Sequence, residues 1–133
     1  MKLEFLDDIT NGGKFPQADP DKLLRLYDFD DYQLMIIRHL IKRSLIDRDG
    51  ELVISNLDFV HPINCTLTFR VSARDVGIKF TSDDAKNFLG EFSKHTYVNM
   101  LEIIDCLNDG YNWLYDPSEE DQIDLLLSPD GSW

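Results

Sequence analysis

A chain of 133 residues is long enough to bury roughly two thirds of its unfolded surface and to fold as one domain without cross-links. Its 25 Asp and Glu outnumber 13 Lys and Arg, for a net charge of −12, which disfavours nucleic-acid binding and leaves a basic protein as the natural charged partner. No apolar run approaches a membrane-spanning length, and Glu4, Asp7 and Asp8 interrupt the start where a secretory leader needs apolar residues, so a soluble, cytoplasmic protein with no membrane partner is expected.

Residues 2 to 9 alternate weakly, Leu3 and Phe5 against Glu4 and Leu6, as in a short edge strand that Asn11-Gly12-Gly13 would end. Phe15-Pro16 through Asp19-Pro20 reads as extended or turning, because a residue before proline is pushed out of the α region. Leu23 to Phe29 satisfies strand and helix periods imperfectly. A strand is preferred there because Asp28-Phe29-Asp30-Asp31 is itself a good helix start, with Asp30 able to accept from unpaired amides and Asp31 complementing the dipole. The helix is predicted from about Asp31 to Leu45. Leu34, Ile37, Ile41 and Leu45 form its buried stripe, widened by Met35, Ile36 and Leu40, while Arg38, His39, Lys42 and Arg43 occupy the remaining surface.

Asp47-Arg48-Asp49-Gly50 closes this helix. Spaced carboxylates before a glycine suggest a calcium loop, but with Gly50 in the glycine position the first ligand would be Leu45 and the closing carboxylate Asn56, so a plain turn is expected. Glu51 to Val60 suggests another strand, and His61-Pro62-Ile63-Asn64 a bend.

The organising stretch is Cys65 to Phe92. Three short blocks alternate apolar with polar residues, and in the first Leu67, Phe69 and Val71 point one way while Thr66, Thr68 and Arg70 point the other. Such blocks predict an antiparallel meander with one buried face, turning at Ser72 to Asp75 and again at Thr81 to Lys86. Ser82 to Phe92 has a helical rival in which Ser82 caps the first turn. Gly90 in its middle would cost a helix about 1 kcal/mol against alanine, which favours a turn and then a strand.

Ser93 or Thr96 opens a second helix with Tyr97, Met100, Leu101, Ile104 and Leu107 as its buried stripe and Gly110 as its left-handed cap. Tyr111 to Tyr115 and Ile123 to Leu127 then read as strands. The expected fold is therefore α+β, a single domain over residues 1–133, built as a mainly antiparallel sheet with two amphipathic helices packed on it.

The functional signals are sparse. Cys65 and Cys106 both sit in apolar contexts and read as free buried thiols of a reducing compartment. His39, His61, His95 and the cysteines lack the clustered spacing of a metal centre, so no metal and no cofactor is expected. There is no nucleophile elbow and no phosphate loop, and Asn11-Gly12-Gly13-Lys14 reads as a turn. The pair worth testing for a small-ligand or catalytic pocket is His61 with Cys65; a histidine hydrogen-bonded at the core edge is the commoner outcome. After Lys94 come nine acids and no base, and Tyr111, Trp113 and Tyr115 alternate on one face of a predicted strand beside Asp116, Glu119 and Glu120. Large aromatics at period two more often pack against a helix than face water, yet the same row would serve as anchors within an acidic rim. The leading expectation is a non-catalytic interaction or inhibitor-like module for a basic protein. The alternative is a small enzyme or ligand-binding domain with a pocket near His61, and open sheet edges would also allow pairing with a second copy.

Overall fold

Leu3 and Phe5 are buried while Lys2, Glu4 and Leu6 are half-buried, the alternation of a strand covered on one side. In the computed structural model, which describes residues 1–6, 22–81, 86–107, 110–117 and 122–131, this is β1 (Lys2–Leu6). It is followed by β2 (Leu23–Tyr27), α1 (Asp31–Leu40), β3 (Glu51–Val53), β4 (His61–Pro62), β5 (Thr66–Val71), β6 (Gly77–Phe80), β7 (Asn87–Phe92), α2 (Lys94–Asp105), β8 (Asn112–Tyr115) and β9 (Asp124–Ser128). The turns expected at Asn11-Gly12-Gly13 and Phe15 to Pro20, and most of the turn between β6 and β7, lie outside the described residues.

The class is α+β, but the strands form two mixed sheets instead of one mainly antiparallel sheet. The first sheet has the order β4-β1-β2-β9-β8 and the second β3-β5-β7-β6. The meander expected over Cys65 to Phe92 does not form, because β5 pairs with β7 in parallel, Leu67 opposite Phe88 and Phe69 opposite Gly90, and β6 lies outside β7 as the antiparallel edge strand. Alternation specifies which side chains turn inward and is silent about strand direction. The inward set is as expected: Leu67 and Phe69 are fully buried, and Val71 packs half-buried against the core.

β2 likewise runs parallel to β9. Leu125, Leu126 and Leu127 are all buried, so β9 is covered on both faces, as strands in parallel arrangements usually are. β1 is not an edge strand. His61 and Pro62, expected as a bend, pair in parallel beside it, with the amides of His61 and Ile63 donating to the carbonyls of Met1 and Leu3. The strand expected from Glu51 to Val60 is only three residues long and passes into a 3₁₀ turn at Ile54–Asn56.

The first helix begins where expected. The Asp30 carboxylate accepts from the Gln33 amide at 2.8 Å, and the Gln33 side chain accepts from the Asp30 amide at 3.2 Å, a reciprocal cap. After Leu40 the chain winds on as a π-helix through Ile41–Asp47. That wider turn lets Lys42 reach Asp47, five residues on, at 3.2 Å while Ile41 and Leu45 stay buried. Met35, expected to widen the apolar stripe, stands 68% exposed. α2 starts at Ser93, whose hydroxyl accepts from the Thr96 amide, and ends at Cys106; Gly110 is not left-handed and does not cap it.

One continuous core joins the inner faces of both sheets to the helix stripes. Phe5 bridges the sheets, its ring 4.7 Å from Phe88 and 5.8 Å from Phe80, and Phe92 meets Tyr115 at 4.6 Å. Inside the second sheet Phe69, Phe92 and Tyr97 pack edge to face around Gly90. The buried Tyr97 hydroxyl donates to the Arg70 carbonyl at 2.6 Å, tying α2 to β5.

Candidate functional site

β8 forms one edge of the five-stranded sheet, and its side chains decide what that edge presents. Asn112 lies opposite Leu127 and Trp113 opposite Leu126, but an irregularity follows and Tyr115 lies opposite Leu125. A single extra residue in a strand exchanges the faces of everything after it. The expected row of Tyr111, Trp113 and Tyr115 is thereby divided. Tyr115 turns to the core side, where its ring meets Phe92, whereas Tyr111 and Trp113 remain together on the outer side with centroids 6.1 Å apart and rings at 70°. Tyr111 is 50% exposed and Trp113 half-buried, while Asn112 and Leu114 fill the interior. Of this row, Tyr115 packs against the core, while Tyr111 and Trp113 stay outside it. Asp116 is exposed immediately after the strand. Glu119 and Glu120 lie outside the described residues.

Six bases among the described residues are taken up in ion pairs. Lys2, Arg25, Arg38, Lys42, Arg70 and Lys94 are engaged with Asp28, Glu4, Asp105, Asp47, Glu51 and Asp49. Arg38 grips Asp105 of α2 through two bonds of 2.6 and 2.9 Å, and this hydrogen bonding holds the Asp105 carboxyl below its ordinary range. Among the described residues, the exposed Asp116 and Glu102 stand in none of these ion pairs.

His61 and Cys65 are placed apart in character. His61 is exposed on β4, whereas Cys65 is buried and its thiol is pushed up to about 12 by that burial and by the nearby Glu4 charge. A thiol so disfavoured as thiolate is a poor nucleophile and a poor metal ligand. The residue between them that sequence reading missed is Asn64. Its side chain accepts from the Phe5 amide at 2.8 Å and donates to the Phe5 carbonyl at 2.9 Å, so the 61–65 segment clamps β1 in place.

The Asp47 and Asp49 carboxylates that first suggested calcium are held by Lys42 and Lys94, and among the described residues no cluster of three or more His, Cys, Asp or Glu could hold a metal ion. A shallow depression of about 280 Å³ lies on the outer face of the second sheet among Thr66, Thr68, Arg70 and Asn87, and a wider one of about 610 Å³ lies by Asp49, Ser72, Lys94 and His95. The second adjoins the α2 N-terminus, where Asp75 already occupies the anion position. Partial burial works against that carboxylate, but bonds from the Thr96 hydroxyl at 2.6 Å and the Ser93 amide at 2.8 Å outweigh it and hold Asp75 below its ordinary range.

Among the described residues, no helix is long and apolar enough to cross a membrane. Compared with known proteins, the chain matches no protein-family model and no curated protein.

Proposed function

We propose that this protein is a non-catalytic interaction module that engages a basic protein through the outer side of β8. The observation that carries this reading is the Tyr111–Trp113 pair, standing outward on an edge strand beside the exposed Asp116 in a chain of net charge −12. Aromatic anchors with a polar rim are the usual energetic centre of a protein interface. An acidic surround accelerates encounter with a basic partner. A reducing compartment such as the cytoplasm suits the two free thiols, one of them exposed. The alternative, a ligand or catalytic site at His61 and Cys65, draws less support from a thiol driven away from its reactive form.

Titrating isotopically labelled protein with a short Lys- and Arg-rich peptide, and following amide shifts, tests the proposal. Shifts should concentrate on 111–116, weaken as salt rises, and vanish in the double variant Tyr111→Ala, Trp113→Ala. Shifts centred on another surface, or binding indifferent to salt, would overturn it.

A further inference from the structure

Tyr32 and Met35 are among the most exposed large apolar side chains, at 72% and 68%. They lie three residues apart on α1, and His39 and Arg43, both exposed, continue the same line four and eight residues after Met35. Such spacing puts all four side chains on one face of the helical rod 31–47, opposite buried Leu34, Ile37, Ile41 and Leu45. No described element covers that face. Its charge changes sign along its length, with Asp31 exposed in the first turn and Arg43 toward the other end, Lys42 there being engaged by Asp47. Among the described residues, neither Asp31 nor Arg43 has an ion-pair partner.

We infer that this face pairs with the same face of a second copy of the chain, the two helices antiparallel about a twofold axis near position 37. A twofold contact must be self-complementary, since residue i meets residue j and j meets i. The α1 face meets that requirement: antiparallel pairing brings Asp31 against Arg43 of the other copy, twice, and Met35 against His39, with Tyr32 flanking the apolar centre. A uniformly basic partner would be repelled by Arg43, and a uniformly acidic one by Asp31. The net charge of −12 opposes association through any uniformly acidic surface, and here the local charge is reversed over half the contact. A rod of about four turns sets the contact at the small end of specific interfaces, so the dimer is weak, with a dissociation constant on the order of 10 µM to 1 mM. The pairing is independent of β8.

Sedimentation equilibrium from about 10 µM to 2 mM, spanning the range expected for so small an interface, tests it on the intact chain. Wild-type protein should dimerise reversibly, and Met35→Arg should raise the dissociation constant at least about tenfold, because symmetry sets a new cation one turn from Arg43 of the other copy twice over. Asp31→Arg and Arg43→Glu should each weaken pairing, and the double charge swap should restore it, which a folding defect could not produce. The Tyr111→Ala, Trp113→Ala variant should dimerise like wild type. A wild-type monomer throughout, a dimer unaffected by Met35→Arg, or a charge swap that fails to recover pairing would each overturn the inference.

Discussion

Replacing Gly90 by alanine sets two physical effects against each other, and the structure decides the sign. In a strand interior, alanine is favoured over glycine by roughly 0.5–1 kcal/mol through the lower entropy of the unfolded chain. At Gly90, however, an added Cβ would meet Phe69 Cδ1 and Phe92 Cε2 at 2.9 Å and Phe69 Cε1 at 3.2 Å. Carbon atoms prefer about 3.5–4.0 Å, so both rings must retreat by several tenths of an ångström. Neither is free to do so. Phe92 is held against Tyr97 at 5.6 Å and Tyr115 at 4.6 Å, and Phe69 against Tyr97 at 5.9 Å. Overpacking of this kind costs about 1–3 kcal/mol, so Gly90→Ala should be destabilised by about 1–2 kcal/mol net. Equilibrium denaturation followed by circular dichroism measures this directly. Adding Phe92→Leu should recover part of the loss, as a coupling of about 1 kcal/mol in the double-mutant cycle. A Gly90→Ala protein as stable as wild type, or more so, would refute the packing account.

Three further outcomes follow from the same contacts. Tyr97→Phe removes the buried 2.6 Å bond to the Arg70 carbonyl and should cost about 1 kcal/mol in the same denaturation assay; an unchanged midpoint would show that the bond contributes nothing net. Asp75 is held below its ordinary pKa, so its contribution is present above about pH 4 and is lost as pH falls through its folded value. Asp75→Asn should therefore cost about 1 kcal/mol or less at pH 7, the exposed carboxylate being screened by solvent, and the gap to wild type should close as pH falls below the ordinary carboxylate range. With a thiol reagent at pH 8, exposed Cys106 should label at once and Cys65 only on unfolding, whereas equal rates would contradict the burial of Cys65.

What the sequence disclosed is what local chemistry determines. The Asp30 cap, the Leu34-Ile37-Ile41-Leu45 stripe, the Ser93 cap and the Tyr97-Met100-Leu101-Ile104 stripe all depend on residues within a few positions of one another, and all stand in the structure. Strand positions were legible for the same reason, since period two is a local signal. Strand pairing was not. Whether β5 runs with or against β7 depends on where β6 is placed, a long-range outcome that leaves the alternation of either strand unchanged. The π-helical turn at Ile41–Asp47 and the pairing of His61 and Pro62 with β1 also depend on distant partners. Met35 was legible in principle. The line Tyr32, Met35, His39 falls opposite the buried stripe, and the angle of Met35 on the helix, not its hydrophobicity, decides its exposure.

The candidate site shows how one backbone irregularity reshapes what period two implies. Tyr111, Trp113 and Tyr115 share a face only while the strand stays regular, and the shift between Trp113 and Tyr115 breaks that condition. Tyr115 then packs on Phe92 and fixes the strand from inside, which leaves Tyr111 and Trp113 outside on a segment that cannot easily turn away. A bulged edge is also a poor template for an added strand, because its unpaired amides and carbonyls no longer keep even spacing. A partner at β8 would therefore engage side chains, not extend the sheet. Under that reasoning, removing the two outer rings should abolish binding while β8 and its hydrogen bonds to β9 persist, whereas substituting Tyr115 should lower stability first and binding only as a consequence.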